Sequence, residues 1–159
     1  MPPTPPRAKK SAAFTLVEMM TAIFLAMLII GIAVLSIGAV NEEASIRRIG
    51  STLEATARAA LQTSVLKQRD HWITFSSNDF TAAPNGKTYS LPKNSRIELR
   101  HWGEKSWSTP ATDERWHFSH EGLCEPLQVR LTLGKATLEM QFDPLTGAVA
   151  DESLIVEKG

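Results

Sequence analysis

The sequence predicts an α+β fold. A long N-terminal α-helix, with a transmembrane half and an amphipathic half, is expected to pack on a small antiparallel β-sheet or β-sandwich domain. Three observations predict it. Residues Met19 to Val40 carry no charge, and only Thr21 and Ser36 among them carry hydroxyls. Ile46, Ile49, Leu53, Ala57, Ala60, Leu61 and Val65 then recur near helical spacing, and no proline occurs from Phe14 to Ala83. After His71 the pattern shortens to alternating runs such as LQVRLTL and ATLEMQF, separated by turn residues. The chain accordingly divides into a basic leader (1–13), a transmembrane or assembly helix (14–40), an amphipathic continuation of the rod (41–70) and a β-rich domain (71–159).

The leader MPPTPPRAKKSAA holds Arg7, Lys9 and Lys10, no acid, and four of the nine prolines, so no stable helix is expected there. The uncharged run covers about 22 residues, enough to cross roughly 30 Å of hydrocarbon at ~1.5 Å per residue. Its apolar character runs all round, as a lipid-facing helix requires. Basic residues precede the span, whereas Glu42 and Glu43 follow it before Arg47 and Arg48. That asymmetry predicts a single pass with a cytoplasmic leader. The rest of the chain is then outside the inner membrane, in the periplasm where the cell has two membranes.

Three readings compete for the apolar segment. A secretory signal has a core of about 7–15 residues followed by a small-residue cleavage site, and this core is longer. An uncleaved signal anchor fits the length and the basic leader but leaves Glu18 unexplained. A carboxylate at the lip of an apolar span is costly without a partner. Were the chain cut between Ala13 and Phe14, the new amine would be a cation at a helix N-terminus, where the macrodipole disfavours positive charge. Glu18 would neutralise that amine, in its own chain or in a neighbour's.

The residues KKSAA-FTLVEMM, followed by a long apolar helix, resemble the type IV prepilin and pseudopilin N-terminus. The resemblance covers about the first quarter of the chain. It implies cleavage between Ala13 and Phe14 by a membrane prepilin peptidase, N-methylation of Phe14, and a role for Glu18 in subunit assembly. The residue before the cut is usually Gly in that family, and here it is Ala13. The later stretch FSHEGLCEPLQVRLTLGKATLEMQFDPLTG resembles the C-terminal region of H-type minor pseudopilins of type II secretion. Many major fibre pilins carry a disulfide-bounded loop and a proline within the helix. This chain has one cysteine and no such proline, which points to a minor pilin or pseudopilin.

In the β-rich part, Leu127, Val129, Leu131 and Leu133 share one face, and Gly134-Lys135 is expected to turn a hairpin. Trp72, Trp102, Trp107 and Trp116 are expected in the core or at its edge, with their indole N–H groups near water. No recognisable catalytic constellation or nucleotide-binding motif occurs, so no enzyme activity and no cofactor are expected. His117, His120 and Cys124 lack zinc-finger spacing. On a strand the two histidines would point to opposite faces. Asp143, Asp151 and Glu152 lack the spacing of a calcium loop and are expected in polar turns. No metal site is therefore expected.

Arg96, Arg100, Arg115 and Arg130 could line a nucleic-acid surface. Without the leader, however, 14 basic side chains face 17 acidic ones, a net charge of about −3, and no nucleic-acid partner is expected. The functional expectation is a pilin-like subunit of a type II secretion pseudopilus. The alternatives are a minor type IV pilin for adhesion, motility or DNA uptake, or an uncleaved membrane-tethered binding domain. Expected partners are the prepilin peptidase, other pilin or pseudopilin subunits, an inner-membrane assembly platform with its cytoplasmic ATPase, and membrane lipid.

Overall fold

A long helix, α1, runs from Leu16 to Lys67, 52 residues. A computed structural model describes residues 15–83 and 86–156, with the side chains of 32–40 outside the description. The helix begins where Thr15 caps it. The Glu18 N–H donates to Thr15 Oγ1 at 3.3 Å, and the Met19 N–H closes the first helical bond on the Thr15 carbonyl at 3.2 Å. Thr-Leu-Val-Glu has the T-x-x-E spacing of a capping box. The helix ends without glycine or proline. Gln68 adopts φ 51°, its N–H donates to Val65 O, and the Arg69 N–H reaches Ser64 O, the paired bonds of a Schellman stop.

Eight strands follow: β1 (His71–Phe75), β2 (Asp79–Ala83), β3 (Lys87–Ser90), β4 (Ser95–His101), β5 (Glu114–Phe118), β6 (Leu127–Leu133), β7 (Ala136–Phe142) and β8 (Val149–Val156). They form two four-stranded sheets, ordered β3-β2-β1-β5 and β4-β6-β7-β8. Every pairing is antiparallel. The β6–β7 hairpin turns at Gly134-Lys135 with Leu131 opposite Leu138, and its side chains alternate buried and wet.

The fold class expected from the sequence is corrected by these observations. Among the described residues, no helix is long and apolar enough to cross a membrane. The β part is two four-stranded antiparallel sheets, so the single-sheet alternative is set aside.

By internal packing the chain divides into residues 1–37 and 38–159. In the second unit, Ile46, Leu53, Ala57, Ala60 and Leu61 of α1 join a core built around Trp116. The Trp116 ring centroid lies 4.6 Å from Phe118, 4.8 Å from Phe142 and 6.4 Å from Phe75. Its indole N–H donates to the Glu125 carbonyl at 2.7 Å, so the N–H is satisfied by backbone, not by water. Trp102, by contrast, is 82% exposed.

Gly50 lets the helix approach the second sheet. A Cβ there would stand 2.6 Å from Leu138 Cδ2 and 3.0 Å from the Met140 sulfur. Two acids of α1 hold the loops of that sheet: Glu42 accepts from the Lys135 N–H at 3.1 Å, and Glu54 from the Val149 N–H at 3.3 Å.

Candidate functional site

The N-terminal turns of α1 place one acid among apolar side chains. Glu18 is exposed, its own N–H is held by Thr15, and its carbonyl accepts from the Thr21 hydroxyl at 3.0 Å. Glu18 is therefore fixed in backbone position while its carboxylate faces outward. Around it, eleven large apolar side chains from Leu16 to Ile30 are each at least 49% exposed. Burying such a side chain stabilises by roughly 1.5–3 kcal/mol, so covering this segment is worth on the order of 15–30 kcal/mol before ordering costs. Contiguous apolar surface of this extent marks an interaction surface. The expected cleavage and methylation positions, Ala13 and Phe14, lie outside the described residues.

The histidines singled out in the sequence do converge, but on a residue that the sequence did not flag. His117 is in β5 and His120 two residues past its end, so strand alternation does not separate them. His120 Nδ1 lies 2.7 Å from Asp70 Oδ1, the His120 backbone N–H donates to the same oxygen at 2.9 Å, and His117 Nε2 lies 3.2 Å from Oδ2. The side-chain hydrogen bond from His120 is the main reason that the Asp70 carboxyl is held down to about 2. The same bond raises His120 above its ordinary value. Asp70 thus ties the end of α1 to the turn after β5.

Cys124 stands apart from this pair. It is buried, and burial first, then the nearby Asp143 charge, pushes its thiol up to about 11. A thiolate at neutral pH is thereby suppressed, which disfavours a nucleophilic role. Among the described residues, no group of three or more acidic, histidine or cysteine side chains could hold a metal ion. Asp143 organises a turn instead: its Oδ1 accepts from the Leu145 N–H at 2.8 Å and its carbonyl from the Gly147 N–H at 2.9 Å.

A second histidine cluster is at the end of β4. His101 Nε2 lies 2.7 Å from Glu114 Oε1, and Glu125 is 3.5 Å from Nδ1. Burial works against a charged His101, yet the Glu114 bond and the nearby glutamates win, and its pKa is raised. The arginines are held by rings and acids. Arg100 and Arg130 lie 4.4 and 4.1 Å from the Trp107 ring centre, Arg130 also pairs with Glu98 and Glu139, and Arg115 lies 5.2 Å from the Trp72 ring.

Sequence reasoning missed Asp70 and His71. Asp70 carries no local motif, and its partners are almost fifty residues away. Buried His71 shares the inward face of β1 with Ile73 and Phe75, and that alternation was the one available signal. No family model, curated protein or solved structure matches this chain.

Proposed function

We propose that the chain is a pilin-like subunit of a type II secretion pseudopilus, assembled through the N-terminal part of α1. The observation that supports this reading is the capped helix start, with Glu18 set among exposed apolar side chains that need a cover. The resemblance of KKSAA-FTLVEMM to prepilin N-termini supplies the chemistry. Prepilin peptidase cuts between Ala13 and Phe14 and methylates Phe14, and Glu18 neutralises the amine of a neighbouring subunit. The apolar surfaces then cover one another in the filament interior, and the two-sheet part is free for neighbour or cargo contacts. The subunit resides at the inner membrane, in contact with lipid, until a platform driven by a cytoplasmic ATPase draws it with its sibling subunits into the filament. The work is assembly and force transmission, without a catalytic step.

Intact-mass measurement of the native protein tests the processing claim. A chain beginning at methylated Phe14 is expected. A chain retaining the proline-rich leader would overturn the reading in favour of a tethered binding domain. A minor type IV pilin is the second reading, since the single Cys124 and the proline-free helix argue against a major fibre subunit but fit a minor pilin and a pseudopilin alike. Loss of secretion on deletion, with twitching and DNA uptake unchanged, separates the two.

A further inference from the structure

The end of β4, the start of β6 and the end of β7 enclose a cavity of about 440 Å³. Its floor is apolar: Leu127 and Phe142 are buried there, between Pro126 and Pro144. Trp102 forms one wall. It follows β4 directly, and Gly103 turns the chain behind it at φ 87°. Of the four tryptophans it is the one left exposed. A large aromatic face standing open beside an apolar floor is half of a ligand site, and polar groups of fixed direction supply the other half.

Arg100, Gln128 and Gln141 line the same cavity and are register partners across β4, β6 and β7. Arg100 Nε donates to Gln128 Oε1 at 2.6 Å, and Gln128 Nε2 donates to Gln141 Oε1 at 3.1 Å. A guanidinium can only donate, so Arg100 sets the direction of the whole row. Gln128 turns its oxygen to Arg100 and its amide nitrogen to Gln141, whose oxygen is thereby used. The row ends on Gln141 Nε2, a donor without a hydrogen-bond partner among the described residues. The Arg100 Nη atoms have none there either, while the Trp107 ring at 4.4 Å holds the guanidinium in place. Glu104 supplies the acceptor: its Oε2 takes the His101 N–H at 3.3 Å, and Oε1 is left over. Arg100 and Glu104 cancel in charge, and His101 is matched by Glu114 at 2.7 Å, so the cavity favours neither an anion nor a cation.

We propose that this cavity binds a neutral sugar, a β-linked gluco-configured pyranose stacked on Trp102 with its hydroxyls on Gln141, Arg100 and Glu104. A ring with all its hydroxyls equatorial shows C–H bonds on both faces and hydroxyls only around its edge. The C–H bonds meet the negative face of the indole. Each edge hydroxyl both donates and accepts, which suits two donor groups and one carboxylate around the same cavity. A purely apolar ligand would use the floor and the wall but strip water from Gln141, Arg100 and Glu104 without replacing it. The volume is within the ~300–1,000 Å³ of small-ligand sites. Because Trp102 is open to solvent, the bound ring is free to be the end of a longer glycan. The site needs neither cleavage at Phe14 nor assembly, so it stands independently of the filament reading.

The test uses the full chain in an amine-oxide detergent, since alkyl glycosides would themselves compete for the cavity. Cellobiose is titrated and its affinity read by calorimetry. Tryptophan emission should shift to the blue, and iodide quenching should fall as Trp102 is covered. Trp102→Ala should weaken binding at least tenfold, and Trp102→Phe should restore part of it. Gln141→Leu should weaken it about fivefold, the effect of one lost hydrogen bond. Both side chains are exposed, so thermal midpoints should not move. Absence of binding at millimolar cellobiose, or undiminished affinity in Trp102→Ala, would overturn the proposal. Equal affinity for cyclohexanol would overturn it by showing an apolar cleft only, and tighter binding of glucuronate than of glucose by showing a charged ligand. Retention on insoluble β-linked glycan would identify the end of a polymer as the ligand, and binding of cellobiose alone a free sugar; both support the site.

Discussion

Glu18 has two physical roles available to it, and substitution separates them. As the third helical residue after the Thr15 cap it completes a T-x-x-E box, which is a local role. As a carboxylate among uncovered apolar side chains it would, in the proposed filament, pair with a neighbour's amine, which is an intermolecular role. Glu18→Gln keeps the shape and the hydrogen-bonding ability of a capping side chain, because Gln serves in the same box. It removes only the charge, worth about 0.3–1 kcal/mol at an exposed helix N-terminus. Thr15→Ala is the converse: it removes the 3.3 Å bond to the Glu18 N–H and costs ~1 kcal/mol of local helix stability, with the carboxylate retained.

In an apolar filament interior, an amine left without its counter-charge costs about 3–5 kcal/mol, equivalent to two to three and a half decades in assembly. Cosedimentation of sheared filaments with immunodetection reads this directly. Glu18→Gln is expected to reduce polymer at least 100-fold at unchanged subunit level, and Thr15→Ala by no more than about tenfold. Equal polymer from Glu18→Gln and the parent would refute the intermolecular role and leave Glu18 as a cap alone.

Three further expectations concern the two-sheet part. Gly147→Ala should cost about 1–3 kcal/mol: the site has φ +64°, and a Cβ would sit 3.2 Å from the Ala57 carbonyl oxygen of the helix backbone. Gly103→Ala, at φ +87° in open space, bears the conformational part alone. Its thermal midpoint should therefore fall less, and equal losses would remove the helix contact from the account. The Asp70–His120 pair should add stability in a defined pH window. The Asp70 contribution is complete above its ordinary 3.8 and lost as pH falls through about 2. The His120 contribution is complete below 6.5 and lost as pH rises through its raised folded value. Urea midpoints measured across pH should show both limbs, and Asp70→Asn should flatten them. Cys124 should resist alkylation at neutral pH until the protein unfolds, because its buried thiol is pushed up to about 11, and fast labelling of the folded chain would contradict that burial.

The legible parts of the sequence were those set by local periodicity. Alternation in LQVRLTL and ATLEMQF fixed the faces of β6 and β7, and the stripe through Ile46, Leu53, Ala57 and Leu61 marked the side of the helix that meets the core. The transmembrane expectation rested on the uncharged run from Met19 to Val40, and among the described residues no helix is long and apolar enough to cross a membrane. Gly50 reads as a helix weakener in sequence. Its use is close approach to Leu138, and that depends on a strand almost ninety residues away. The helix stop was hidden for a similar reason: Gln68 takes a left-handed conformation with no glycine to announce it. The candidate site was half visible. Glu18 stood out as a lone acid in an apolar run, whereas the Asp70 cluster forms only when β1 and β5 pair and bring His117 and His120 to it.

The two acids that reach from α1 to the loops also have a mechanical consequence. Glu42 and Glu54 grip the turns at Lys135 and Val149 from points twelve residues, or ~18 Å, apart on one rigid element. Tension along the helix axis therefore loads both grips together, while the Gly50 contact between them and the Ala57 contact just beyond Glu54 resist sliding. Peeling would break them one at a time at a lower force. A chain pulled by its helix would carry both sheets along without unzipping them.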